Sequence, residues 1–215
     1  MNYLQLSREL AKLAAISGEP SAVTNQTGEH KRIVEWIQQA WDEIQALHDD
    51  WLFLWAEKPQ EALFVGQSIY DKPVDCNVII DNSFRVIDNG NATAVSYLPF
   101  DQFRTLYPKG NTVTGKPQQY TVRPDDRIEV HPIPDKAYLY DFDYFKKGMQ
   151  LLNNTDVPAM PEKHHMAIVY LALRYYAEYE EDVNVLASAD IEYNKRLTLM
   201  VNDLLPDVTI SWSFV

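Results

Sequence analysis

Residues 33–57 read IVEWIQQAWDEIQALHDDWLFLWAE, and a change of period inside this stretch decides the fold class. Ile33, Ile37, Ala40, Trp41, Ile44 and Leu47 recur at i, i+4, i+7, i+8, i+11 and i+14, which puts them on one face of an amphipathic helix. From Trp51 that spacing stops. β-Branched and aromatic residues broken by Asn, Asp, Gly and Pro take over, the pattern of strands. Upstream, Thr27 is the expected N-cap of this helix, and Glu29 stands where the positive end of a helix favours an anion. Further back, Leu4, Leu6, Leu10, Leu13 and Ala14 predict a short amphipathic helix, stopped by Ser17-Gly18-Glu19-Pro20.

Downstream, strands are expected over 51–57, 76–80, 84–88 and 93–98, with Asp88-Asn89-Gly90-Asn91 as a hairpin turn and a short helix over 101–107. Tyr120 and Val122 alternate before Pro124-Asp125-Asp126, and Ile128 and Val130 alternate after it, so the segment reads as a second hairpin. Tyr138, Tyr140, Phe142 and Tyr144 then share one face of a strand, read as a packed sheet face in preference to a ligand-stacking surface. Pro161 suits the first position of a helix that runs to Leu205. Met166, Val169, Tyr170, Leu173, Tyr176 and Ala177 form its first apolar stripe. Leu186, Ala189, Tyr193, Leu197, Met200, Val201 and Leu204 form its second. The acidic run Glu180-Glu181-Asp182 breaks the stripe over 178–184, and one uninterrupted rod would be about 67 Å long. Two helices are therefore expected, antiparallel or bent.

The expected fold is α+β, with terminal helices forming an α-helical bundle around an inserted antiparallel β lobe. Residues 1–50 and 156–206 make the bundle, 51–155 the β-rich lobe, and 207–215 an extended arm. The arm reads Asp207-Val208-Thr209-Ile210-Ser211-Trp212-Ser213-Phe214-Val215, with Val208, Ile210, Trp212 and Phe214 alternating against Thr and Ser. Such an apolar strand needs somewhere to be buried. Its own sheet is one place; a neighbouring subunit or a partner protein is the other.

Charge excludes one class of function. In 215 residues, 19 Lys and Arg stand against 31 Asp and Glu, a formal net charge of −12, whereas a protein that coats nucleic acid needs clustered cations. Nowhere do 18 apolar residues run together, so the expectation is a soluble, intracellularly made protein without a membrane span. Cys76 is the single cysteine and can form neither an intrachain disulfide nor a cysteine-rich zinc site. His164 and His165 are adjacent at a helix start, where side chains diverge by about 100° and cannot chelate one metal. No phosphate loop, nucleophile elbow or HExxH sequence occurs. Catalysis is not asked for, and neither is a cofactor. The one enzymatic alternative is a small hydrolase or nucleotide-handling enzyme with Cys76 or His131 in a cleft.

Three blocks together resemble the tailed-phage adaptor proteins that join head to tail: residues 17–54 (SGEPSAVTNQTGEHKRIVEW through DDWLFL), 97–110 (YLPFDQFRTLYPKG) and 114–181 (TGKPQQYTVRPDDRIEVHPIPDKAYLYDF through ALRYYAEYEE). Thr27-Gly28-Glu29 followed by Trp36, Trp41 and Trp51, the pair Phe103-Arg104, the turn Gly115-Lys116-Pro117, and Pro158-x-x-Pro161-Glu162 before His165 and Ile168 carry the likeness. Beyond about Asn184 no pattern matches, so no family role carries over there. The resemblance implies a structural virion protein of the neck or tail, made in the host cytoplasm. It would form a ring, a dodecamer under a dodecameric portal protein, with tail or nozzle proteins below and double-stranded DNA passing through without specific binding. A head-completion or tail-tube component is the nearest alternative. On this reading Val208, Ile210, Trp212 and Phe214 bind the portal or a neighbouring subunit. Glu178, Glu180, Glu181 and Asp182 face the lumen or an exposed turn. Arg85, Arg104 and Lys116 are candidates for ion pairs between subunits.

Overall fold

A computed structural model describes residues 1–206, and the chain divides into two compact units. One comprises Met1–Leu54 and the segment from Gly148 onward; the other is Trp55–Lys147. Helices α1 (Tyr3–Leu13) and α2 (Gly28–Ala46) open the chain, the short α3 (Phe100–Leu106) lies in the second unit, and α4 (His165–Tyr179) and α5 (Val183–Leu204) follow. The architecture is α+β, as the periodicities require.

In the helical unit, α1 starts with a reciprocal cap in which Asn2 Oδ1 accepts from Gln5 N at 2.9 Å and Gln5 Oε1 accepts from Asn2 N at 2.8 Å. It stops at Leu13, earlier than the Gly18 signal suggests, because Ala15 already takes the left-handed conformation at φ 52. Tyr3, Leu6 and Leu10 are its buried stripe, which leaves Leu13 exposed. Helix α2 buries Ile33, Ile37, Ala40, Trp41 and Ile44 as expected, adding Val34 and Gln45. Thr27 is its N-cap by position, although its hydroxyl makes no capping bond.

Helix α4 departs from its expected single stripe. Ala167, Ile168, Leu171 and Ala172 are fully buried along with Val169, while Met166, Tyr170 and Tyr176 are only half-buried. The reason is position: α4 packs against α1, α2 and α5, so little of its circumference meets water. Helix α5 packs on α4 and keeps one stripe of Ala189, Tyr193, Met200 and Leu204. Pro161 precedes a 3₁₀ turn, Glu162–His164, so α4 begins at His165.

The expected strand over 51–57 is displaced. Leu52–Leu54 is a 3₁₀ turn, and Trp51 is buried in the helical unit, its indole N–H donating to Ile44 O at 2.9 Å. Strand β1 (Trp55–Leu63) begins only afterwards. It slips register between Lys58 and Glu61, around Pro59, which has no N–H for the ladder. Then come β2 (Ile69–Asp71), β3 (Cys76–Ile79), β4 (Arg85–Asp88), β5 (Asn91–Ala94), β6 (Ser96–Tyr97), β7 (Gln119–Val122), β8 (Arg127–His131) and β9 (Tyr138–Lys146). Strand β9 is the hub of one sheet, pairing antiparallel with β1, β3 and β4, while β5 extends from β4. The other sheet runs β2-β8-β7-β6, with β6 and β7 parallel. The segment expected as one strand over 93–98 divides at Val95 between the two sheets. The aromatic face of β9 is buried as expected, and Phe84 stacks on Tyr120 at 4.5 Å and on Phe142 at 5.4 Å. These rings form the heart of the β unit's core.

Candidate functional site

The turn between α4 and α5 is built by its own sequence. Glu180 N–H bonds Tyr176 O, Asp182 N–H reaches back to Ala177 O at 3.0 Å, and Glu181 between them is left-handed at φ 57. This is a Schellman-type ending with Glu at the position glycine prefers. Asp182 then caps α5, its Oδ1 accepting from Asn184 N and Val185 N, both at 3.0 Å. Of the four acidic residues singled out, Asp182 therefore has a local structural role. Glu178, Glu180 and Glu181 are exposed and make no ion pair among the described residues.

A second polar surface lies in the β unit, a cavity of about 240 Å³ beneath α3 and the loop after it. Helix α3 supplies Arg104, whose guanidinium bonds Glu129 Oε2 at 2.5 Å, and Arg123 reaches the same oxygen at 3.3 Å. Strand β8 turns Glu129 inward between buried Ile128 and Val130, so two arginines compensate one nearly buried carboxylate. Arg104 Nε is buried without a hydrogen-bond partner among the described residues. Next to it, Tyr107 lies flat on His131 with ring centres 3.7 Å apart and donates its hydroxyl to Gln119. Burial pulls the His131 pKa down, so the ring is neutral at pH 7. With Lys109 also on the lining, three cations surround one carboxylate. Sequence reading singled out Arg104 and His131, but not Glu129, Arg123 or Lys109 beside them. The one signal for the group was a charged residue inside the alternating strand Ile128-Glu129-Val130.

The other expected site residues fall out differently. Val208, Ile210, Trp212 and Phe214 lie outside the described residues. Arg104 is engaged within its own chain, and Lys116 donates to Thr93 Oγ1 at 2.7 Å. Cys76 sits in the aromatic core, where burial pushes its thiol pKa up, against any nucleophilic role. Among the described residues it makes no hydrogen bond to His131. His164 points at Asp203 Oδ2 (3.1 Å). His165 bonds Met160 O at 3.0 Å and the Met1 ammonium at 2.8 Å. A carbonyl only accepts, so His165 carries its proton on Nε2 and leaves Nδ1 to accept from the ammonium. Burial lowers the pKa of both histidines. No group of three or more His, Cys, Asp or Glu side chains among the described residues could hold a metal ion. No described helix is long and apolar enough to cross a membrane.

Compared with known families, residues 1–210 match the family described as SU10 adaptor protein. No curated protein matches. Among solved structures, the chain is similar to a component of the neck of an empty GTA particle computed with C6 symmetry. That likeness has 15% identity, covers 79% of this chain and 76% of the other, and has a TM-score of 0.25. A likeness of that size carries no conclusion about this chain.

Proposed function

The chain belongs to the SU10 adaptor protein family, and from that premise we propose that it is a structural head-to-tail adaptor of a tailed-phage neck, working without catalysis. The family match over residues 1–210 carries this reading. In detail, copies form a ring, a dodecamer, on the portal protein, tail or nozzle proteins attach below, and double-stranded DNA passes through the centre during packaging and ejection. The net charge of −12 supports a conduit, since duplex DNA carries one negative charge per about 1.7 Å and an acidic wall does not hold it. The arm with Val208, Ile210, Trp212 and Phe214 is the proposed anchor on the portal or an adjacent copy, its Trp212 and Phe214 being aromatic residues of the kind enriched at interfaces.

The test is assembly on purified portal. The isolated chain is expected to be monomeric at micromolar concentration and to form a ring on the portal, seen by electron microscopy. A stable dodecamer of the purified chain in mass measurements contradicts templated assembly. A chain ending at Pro206 that binds the portal at full affinity contradicts the anchoring role of the arm.

A further inference from the structure

We propose that the acidic knuckle at the α4–α5 turn of one copy docks into the Arg104–Lys109–Arg123 cavity of the next copy. The inference rests on the reading of this chain as a ring subunit, and it names the contact that joins neighbours. In a chain of net charge −12, a cavity lined by three cations and one carboxylate is a local reversal of sign. Within it two arginines share the one carboxylate of Glu129, and Lys109 has no ion pair among the described residues. The donors present therefore exceed the acceptors, and a carboxylate is the ligand they fit.

The complementary feature is on the same chain. Glu178 and Glu180 stand in the last turn and at the cap of α4, where the negative end of the helix disfavours anions. Asp182 serves the start of α5, and Glu178, Glu180 and Glu181 make no ion pair among the described residues. The knuckle is held in one shape by the Ala177–Asp182 backbone bond and the Asp182 cap, so docking it orders little that is not already ordered. Knuckle and cavity are different patches of one molecule, so the contact is head-to-tail, the type that builds a ring when the rotation between neighbours closes. Joining strongly acidic bodies also needs a seam of opposite local charge to fix register.

Charge reversal in two separate proteins tests the contact. The knuckle variant carries Glu178→Lys, Glu180→Lys and Glu181→Lys. The cavity variant carries Lys109→Glu and, at Asn111 on the same lining, Asn111→Asp, which leaves the Arg104–Glu129 pair intact. Sedimentation velocity is run from about 10 μM to about 1 mM, the range in which weak protein contacts register. The wild-type chain is expected to self-associate towards the upper end. Each variant alone stays monomeric, and an equimolar mixture associates again because reversed knuckles then meet reversed cavities. The knuckle variant is less acidic overall, so general repulsion alone predicts the opposite, stronger association. Association of either variant alone like wild type, or failure of the folded pair to rescue, overturns the contact while leaving the ring on the portal to stand or fall by its own images. A wild-type chain that is monomeric to about 1 mM overturns it as well. So does duplex DNA binding that the cavity variant abolishes, since the cavity would then serve phosphates.

Discussion

The helical unit and the β unit both bury polar groups, but with different chemistry. In the helical unit neutral amides and an indole hold the returning main chain. Trp41 Nε1 donates to Met149 O at 2.8 Å, Gln45 Oε1 accepts from Met149 N at 2.8 Å, and Gln38 Oε1 accepts from Leu151 N at 2.9 Å. The β unit has neutral clamps too, Ser83 Oγ accepting from Asp143 N at 3.1 Å, but it adds a nearly buried ionic group, Glu129 between Arg104 and Arg123. Neutral clamps fix a chain path whatever the pH or salt. An unequal set of ions leaves a field that another molecule can read, which is why the candidate contact lies in the β unit's cavity.

The largest effect should come from the apolar cores on which both devices depend. Phe84→Ala removes the ring that stacks on Tyr120, Tyr140 and Phe142 and should cost about 3–5 kcal/mol in chemical denaturation. Next come the polar devices themselves. Gln45→Ala leaves Met149 N–H without its acceptor and should cost about 1–3 kcal/mol with little dependence on salt. Glu129→Gln should cost a similar amount, about 1–3 kcal/mol, but by a margin that changes with ionic strength. Equal salt dependence of the two variants would erase the distinction between the units.

Acid acts on both units. Buried His164 and His165 in the helical unit, and His131 in the β unit, have pKa values held below 6.5, chiefly by burial. A folded-state pKa below the unfolded one means that the unfolded chain takes up the proton first, so stability falls as pH drops through 6.5 and levels off below the folded values. Thermal melting against pH should show this loss, and His165→Gln should flatten the curve. The smallest expected change has the opposite sign. Glu181→Gly relieves the left-handed strain at the knuckle and should stabilise the chain by about 0.5–1 kcal/mol, read as a rise in denaturation midpoint.

Much of the fold was legible in the sequence. The stripe of α2, the aromatic face of β9, the Asp88–Asn91 turn and the break before α5 all follow from spacing, because each is set by neighbours in sequence. What failed did so where a residue's surroundings come from elsewhere in the chain. Trp51 looks like the first residue of a strand, yet it packs in the helical unit. Val95 looks like mid-strand, yet the chain changes sheet there. The candidate cavity was the least legible part, since Arg104, Lys109, Arg123 and Glu129 come from three separate segments and share no motif.

By itself the sequence determined the α+β class, the order of helical and strand segments, the acidic excess and the local chemistry of the α4–α5 knuckle, all consequences of backbone periodicity and near-neighbour bonding. Only the tertiary structure decided that α4 is the central helix and that Glu129 turns inward to meet two arginines. Periodicity reports the one face an element turns to a neighbour. The number of neighbours, and which distant charges they bring, is fixed when separate segments pack.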